Sequence, residues 1–579
     1  MLTVIINWAL IAITSYAIGF AASKLLLKIA GVSSKSFPET CPHVATVRVF
    51  LGLALITAYA EVWSLFSGVG AAALIVVVAV SIVLIIFSGK EMYTDLSLRP
   101  GFNLIIAAAV ILLMAYGTSR GYMHYDTNLY HAQAIRWIEQ YGVVPGLANL
   151  QSRFGYNSAE FALNALYSMA WYNGRSLHCT AGFFALMSVA VLSGIKNIYA
   201  GKDADGKHRL CIRVSDYVRL GLLFYLGMIF AEMISPASDY YAQLLIFNII
   251  ILWLDITDIK TESQEKDTEY IYKSILCILL VYAITIKLSI GLLVLLALIP
   301  GIYWIKRKNV KSIFACITGG LVISLPYFIR NHIISGWILY PSTFIGIGRP
   351  DWQLRKGEAM YDAREISMWG RGITSADMWK DVTATNWIKD WFCNLALLEK
   401  AWVAGTLFAS IGVVVLLVIS IVRYIRKKDT RTIDEKLLVS LIILVGVIFW
   451  FCSAPLVRYG YAYLIIMPLY FIGYISEKAT AEKSVRIANC VFVMMAVLIV
   501  GLKLKGLAAD IIRTYAMDNY VTQQDYIDGE AYTYELDGVT IYVAEDAGQI
   551  GYYKFPASPD VKDDICLRGI DIEEGFRKK

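Results

Sequence analysis

Apolar residues in this chain come in long unbroken runs, separated by short polar connections. Runs of roughly 17 to 23 residues match the thickness of a bilayer core crossed by a helix. They predict spans near 3–23, 46–62, 70–88, 103–118, 178–197, 217–233, 239–256, 272–287, 290–305, 312–328, 401–423, 438–454, 460–476 and 487–504. The fold class expected is an all-α polytopic membrane protein of about fourteen spans, with a small C-terminal β-containing segment. Residues 1–505 form the transmembrane domain, with outer loops at 118–177 and 329–400, and residues 506–579 a small α/β tail.

Composition agrees. Of 579 residues, 58% are hydrophobic and only 17% charged, and the mean hydropathy is +0.58. Lys202, Lys207, Arg209 and Arg213 fall in one connection, Lys306, Arg307, Lys308 and Lys311 in a second, and Arg423, Arg426, Lys427, Lys428 and Arg431 in a third. Short basic loops stay cytoplasmic, so the segment around Asp126, the 329–400 loop, the N-terminus and the tail are expected outside. The first run lacks a basic n-region and a cleavage site and reads as a retained span. Residues Phe161 to Tyr172 are apolar enough for a further span, which would turn the 202–213 loop outward. Residues 159–173 are therefore read as an amphipathic helix on the outer surface.

The net charge of +6 is accounted for by the cytoplasmic loops and excludes no class except nucleic-acid binding, for which it offers no patch. Nine cysteines without a CxxC leave neither a zinc site nor a disulfide framework. The tail carries fifteen acidic against seven basic residues. In it, 539–544 and 550–553 read as short strands, with Asp537-Gly538 a turn before the first and Phe555-Pro-Ala-Ser-Pro559 breaking the chain before 565–569.

Candidate chemistry gathers at the outer ends of spans. Asp126 lies in Gly121-Tyr-Met-His-Tyr-Asp-Thr-Asn-Leu-Tyr-His131, ahead of a periodic helix over 128–141 closed by Gly142 and expected at the membrane interface. Two readings stand together: a cap carboxylate held ionised by the helix dipole, or a base presenting a free oxygen to a hydroxyl. His124 and His131 flank it and suit surface packing, with substrate orientation or metal ligation as the alternatives, and Tyr130 shares a helix face with Ala134, Trp137, Ile138 and Tyr141. Asp239 opens the next helix after Pro236, as a cap or as a cation or acceptor site, with Glu232 shortly before it. Arg153, Lys287, Arg330 and Arg458 sit near outer span ends, where a cation is costly beside lipid unless paired or functional. Guanidinium forks suit phosphate oxygens. Trp352, Trp369, Trp379, Trp387 and Trp391 in the large loop suit an interfacial belt, with one or two available to a groove.

These features resemble the GT-C-type integral membrane glycosyltransferases that use polyprenyl- or dolichyl-phosphate sugars. The resemblance rests on Asp126 before an interfacial helix, on Arg330-Asn331 followed by Gly336-Trp-Ile-Leu-Tyr-Pro341, on Lys287 at a span end, and on Arg458-Tyr459 entering a late span. The chain looks closer still to uncharacterised bacterial membrane proteins bearing a Tyr-Asp-Thr-x-Leu-Tyr-His segment, with Arg568-Gly569 and Gly575-Phe576 near the end. It departs from the superfamily in placing three further spans before the acidic helix, which brings an N-terminal addition or a different fold into play.

The resemblance implies inverting transfer at the outer face of a bacterial cytoplasmic membrane. Asp126 would be the base; His124, Tyr130, His131, Arg153, Asp239, Lys287, Arg330, Asn331 and Arg458 would bind substrate. The partners would be a lipid-linked sugar donor, a glycan or lipid-linked acceptor and membrane lipids. No cofactor is certain, and a divalent cation is one candidate. A polysaccharide polymerase, or a flippase or transporter of lipid-linked saccharides, is the rival class.

Overall fold

Lipid offers no hydrogen bonds to a backbone, so long apolar runs satisfy theirs internally as helices. The computed structural model describes residues 1–33, 37, 40–97, 104–194, 212–259, 266–427, 434–479, 482–546 and 548–579. Lys202, Lys207, Arg209, Lys428 and Arg431 fall outside them. Among the described residues, 12 helices are long and apolar enough to cross a membrane. The shorter apolar helices Leu104–Ser119 and Thr180–Leu192 occupy two more of the expected runs. The chain is a multi-pass helical membrane protein.

Helix Ser238–Asp258 is buried almost throughout and forms the centre, whereas Ala71–Ser97, Leu397–Lys427 and Glu482–Thr514 leave most of their apolar surface uncovered at the rim. The expected span at 290–305 divides into a 3-10 stretch, Leu288–Ala297, and the helix Leu298–Lys306. It is separated from the helix ending at Ile286 by Lys287, whose backbone is extended.

At one end of the bundle the segment 120–177, the loop after Ser335 and the tail pack together. Gly121 N–H donates to Gln524 Oε1 at 3.1 Å, Asn149 Nδ2 to the Trp352 carbonyl at 2.9 Å, and Phe576 N–H to the Pro145 carbonyl at 2.9 Å. Leu2 and Thr3 donate backbone bonds to Tyr520 and Val521 at this same end.

The expected amphipathic surface helix is corrected. Ala159–Tyr167 is a helix, but all nine of its residues are buried, Glu160 and Asn164 included. Asn164 Nδ2 donates to Glu160 Oε2 at 2.5 Å and to Tyr241 Oη at 3.0 Å, so its polar positions face protein rather than water. The helix expected over 128–141 is also differently placed. A π-turn, Thr127–His131, leads into Ala132–Gln140, whose polar face lies under the tail. Gln133 Nε2 donates to the carbonyls of Gly551 and Lys554, both at 3.0 Å, and Arg136 Nη1 to those of Tyr552 and Tyr553 at 2.6 and 2.8 Å.

In the tail, β1 (Ala531–Leu536) and β2 (Val539–Ala544) form an antiparallel hairpin through Asp537-Gly538. Both turn residues have positive φ, the conformation a two-residue hairpin turn requires. β3 (Ala557–Ser558) adds parallel to β2, and β4 (Ile565–Leu567) pairs with β5 (Phe576–Lys578). The strand expected at 550–553 does not form, because its amides go elsewhere. Ile550 and Gly551 donate to the Asn128 carbonyl, and Tyr552 and Tyr553 to Asp528 Oδ1. The last long helix runs on to Thr514, past the expected boundary at 505.

Candidate functional site

Asp126 stands at the start of the π-turn, yet its side chain makes no capping bond. The carboxylate turns to Arg458, in the first turn of helix Val457–Glu477: Nη2 donates to Oδ2 at 2.6 Å. Arg458 Nη1 lies 2.9 Å from His124 Nε2 and the Asp126 amide 3.1 Å from His124 Nδ1, and a neutral imidazole accepts at one of the two nitrogens. His124 is pinned further by its own N–H on Ser235 Oγ at 2.7 Å. The three groups come from two parts of the chain, 124–126 and the helix start at 458, with Ser235 a third that holds His124.

Asp239 also departs from the capping reading. Its helix has Ala237 at the N-cap without a side-chain bond, and the carboxylate pairs with the Lys287 ammonium. Lys287 lies at the helix break, with its ammonium 3.9 Å from the centre of the Tyr459 ring. Arg458 Nε lies 4.0 Å from Asp239 Oδ2, and that nitrogen is buried without a hydrogen-bond partner. Anion and cation therefore alternate through Asp126, Arg458, Asp239 and Lys287.

Beside this row opens a cavity of about 230 Å³ lined by His124, Tyr225, Glu232, Asp239, Tyr240, Arg458 and Tyr461, with Met228 and Ile229 as its apolar part. The Tyr240 hydroxyl donates to Glu232, and Tyr461 donates to Glu399 Oε1 at 3.1 Å. Tyrosine faces with hydroxyl edges, the Glu232 and Asp239 carboxylates and one guanidinium suit a small polyhydroxylated ligand, with the guanidinium available to a phosphate on it.

Electrostatics sets the protonation states. Burial alone would raise the Asp126 carboxyl, but Arg458, His131, His124 and Lys287 outweigh it and hold the group below the usual carboxylate range. Burial pushes His124 down to about 4, with Arg458 and Lys287 adding to the effect against Asp126. His131, 2% exposed, falls to about 3 for the same leading reason. At neutral pH the site holds an ionised Asp126 beside two neutral imidazoles.

The remaining expected residues divide. His131 stacks near His124, ring centres 6.4 Å apart, and Tyr130 lies edge-on to His131 at 4.3 Å. Arg153 sits farther out: Nη2 is 3.9 Å from Glu365 Oε2, and the guanidinium lies 5.3 Å from the Trp369 ring centre. Arg330 and Asn331 are in a different place. Arg330 Nε and Nη2 both donate to Asn157 Oδ1, at 3.1 and 2.8 Å, and Nη1 donates to Ser64 Oγ. Asn331 Oδ1 accepts from Asn157 Nδ2 at 2.9 Å. Both are buried packing groups, used up by neighbours that do not line the cavity.

Tyr225, Tyr240 and Tyr461 did not stand out in the sequence. The usable signal was Tyr461 three residues after Arg458, hence on the same helix face, and Tyr240 directly after Asp239. Among the described residues no group of three or more His, Cys, Asp or Glu is arranged to hold a metal ion. Arg458 and Lys287 stand beside the carboxylates that would have to supply ligands, so this donor set does not fit a divalent cation.

Fold and site together define a polytopic helical membrane protein with a charged, tyrosine-lined cavity at the end of the bundle that carries the large loops. The chain belongs to the family described as Domain of unknown function (DUF8201), which matches residues 1–465 and so includes Asp126 and Arg458. No curated protein and no solved structure matches the chain.

Proposed function

We propose that the protein is a GT-C-like membrane glycosyltransferase, moving a sugar from a polyprenyl-phosphate donor to a glycan or lipid-linked acceptor at the outer face of a bacterial cytoplasmic membrane. In this reading all fourteen apolar helices span, and the N-terminus and tail are extracytoplasmic. The observation that carries it is the Asp126–Arg458 pair at 2.6 Å, next to Lys287 and the tyrosine-lined cavity.

The acceptor hydroxyl gives its proton to Asp126 as its oxygen bonds to the anomeric carbon. The bond from that carbon to the phosphate oxygen breaks, and both electrons leave with the polyprenyl phosphate. Arg458, through its unpartnered Nε, and Lys287 neutralise the charge on the leaving oxygens. A phosphate that draws Arg458 toward itself also relieves Asp126 of its strongest cation, which raises its proton affinity when a base is needed.

One observation favours transport of lipid-linked saccharides as the second reading: a buried ion pair inside the bundle, Arg48 with Asp95, is of the kind found along transport paths. The test is the protein in liposomes with a radiolabelled polyprenyl-phosphate hexose and an envelope lipid extract as acceptor. Label should move into a new product, with Asp126→Asn and Arg458→Ala each lowering the rate about 100-fold or more. Label that crosses the bilayer still attached to its carrier, with no product, would sink the transferase reading.

A further inference from the structure

The turn that carries Asp126 is gripped by a segment far away in sequence, beyond the family match that ends at residue 465. The Asn128 carbonyl accepts two backbone N–H groups from the tail, Gly551 at 3.1 Å and Ile550 at 3.2 Å, the Ile550 N–H being shared with the Gly548 carbonyl at 3.0 Å. A carbonyl oxygen has two lone pairs, so these donors saturate it. The Ala132 N–H, which an α-helix would direct to Asn128, reaches back five residues to the Thr127 carbonyl instead. The π-turn at Thr127–His131 is thus the register left to the helix once the tail has taken Asn128.

Contacts continue on both sides of Asp126. Gln549 Nε2 donates to the Tyr125 carbonyl at 3.2 Å. Gly548, at φ +77°, lies so close that a Cβ there would stand 2.9 Å from Leu129 Cδ1. Farther along, Gln133 returns a bond to the Gly551 carbonyl, so Gly551 both gives to and takes from the Asp126 helix. The turn is fixed at residues 125, 128, 129 and 133 by one short stretch of tail, with Asp126 between the first two.

We propose that Gln549, Ile550 and Gly551 are positioning residues of the candidate site, and that the tail segment holds the Asp126 turn in its π register and so aims the carboxylate at Arg458. The tail is then part of the site rather than an appendage. The role rests on Asp126 being the functional carboxylate of the proposed transferase, but its test does not use transfer. A protein that transfers no sugar removes the catalytic purpose of that aim but not the hold of the tail on the turn, and an active protein can still show that the hold is absent.

The experiment uses the full chain in detergent with two variants, Gln549→Ala and Gly548→Val. The first removes one bond; the second drives a side chain toward Leu129. Hydrogen exchange is followed by mass spectrometry over 123–131, and His124 is titrated through its carbon-13 ring signal. His43, on the far side of the bundle at the start of helix Val44–Trp63, serves as the control. The expected result is exchange about tenfold or more faster over 123–131, a His124 titration moved up by a unit or more from about 4, and His43 unchanged. Unaltered exchange and titration in both variants would overturn the proposal. So would a change that extends equally to His43, since the tail would then support the fold as a whole rather than this turn.

Discussion

Arg458 Nη2 lies 2.6 Å from Asp126 Oδ2, joining residues 332 positions apart, and its Nη1 meets His124. Two of the guanidinium's three nitrogens thus fix the groups around Asp126, and Nε is left buried and free beside Asp239. An arginine placed only to neutralise a carboxylate would spend its fork on that carboxylate. Here the fork is divided.

The pair should show as energetic coupling. In a double-mutant cycle of Asp126→Asn and Arg458→Gln, the coupling energy in detergent is expected at about 1–2 kcal/mol, the scale for contacting residues in one charged network. Arg458→Lys should fail to restore it, because an ammonium cannot reach Asp126 and His124 with separate fixed donors. Additivity of the single variants, read from thermal midpoints, would show that the contact carries no such energy.

Acid should weaken the fold before Asp126 titrates. His124 and His131 are held at about 4 and about 3 by burial, whereas an unfolded histidine titrates near 6.5. Between those values the unfolded chain binds more protons, so stability rises with pH and is lost as pH falls from about 6.5 toward 4. The Asp126 contribution has the depressed-carboxylate form: it is present above the unfolded value and disappears only as pH drops through its lower folded value. Thermal midpoints taken from pH 7 to 4.5 should therefore fall, and His124→Gln with His131→Gln should flatten that slope.

Arg330 should behave as a packing residue. Removing it leaves Asn157 Oδ1 buried without its two donors, a cost of about 1–3 kcal/mol before the loss of packing is added. Arg330→Ala should lose folded yield, whereas Arg458→Ala should fold and lose function. Arg330→Gln, whose amide can still donate to Asn157 Oδ1, should recover part of the yield. Equal folded yield for Arg330→Ala and the unmodified chain would contradict this assignment.

What was legible follows from which forces act locally. Long apolar runs and the Asp537-Gly538 turn announce themselves because hydrophobic length and positive φ are properties of a few adjacent residues. Charges at span ends flagged Arg458 and Lys287, since a cation there needs a partner, but the same argument flagged Arg330, whose partners Asn157 and Ser64 are uncharged and distant in sequence. The helix at 159–167 was misplaced for a related reason: Glu160 and Asn164 look like a water-facing side until Tyr241 and Thr180 are brought against them. The hold of the tail on Asn128 is backbone to backbone and leaves no mark in side-chain pattern.

Asp362 makes a final case, because its surroundings separate shape from charge. It is 3% exposed and accepts from Ser152 Oγ at 3.0 Å, Tyr156 Oη at 2.8 Å and Tyr340 Oη at 3.0 Å. Burial raises its carboxyl against those three donors and Arg153. Tyr156 lies edge-on to Tyr130, ring centres 5.8 Å apart, so this knot ties helix Lys356–Gly370 of the large loop to the Asp126 turn. Asp362→Ala would orphan both tyrosine hydroxyls and cost about 2–4 kcal/mol, each stranded donor accounting for about 1–3. Asp362→Asn should cost less than about 1, since one amide oxygen can accept from both tyrosines and Ser152 can rotate to accept from the amide nitrogen. Limited proteolysis of the 336–396 loop should therefore quicken strongly in the alanine variant and little in the asparagine one. Equal cleavage of the two would mean that the negative charge, not the hydrogen-bond geometry, anchors the loop.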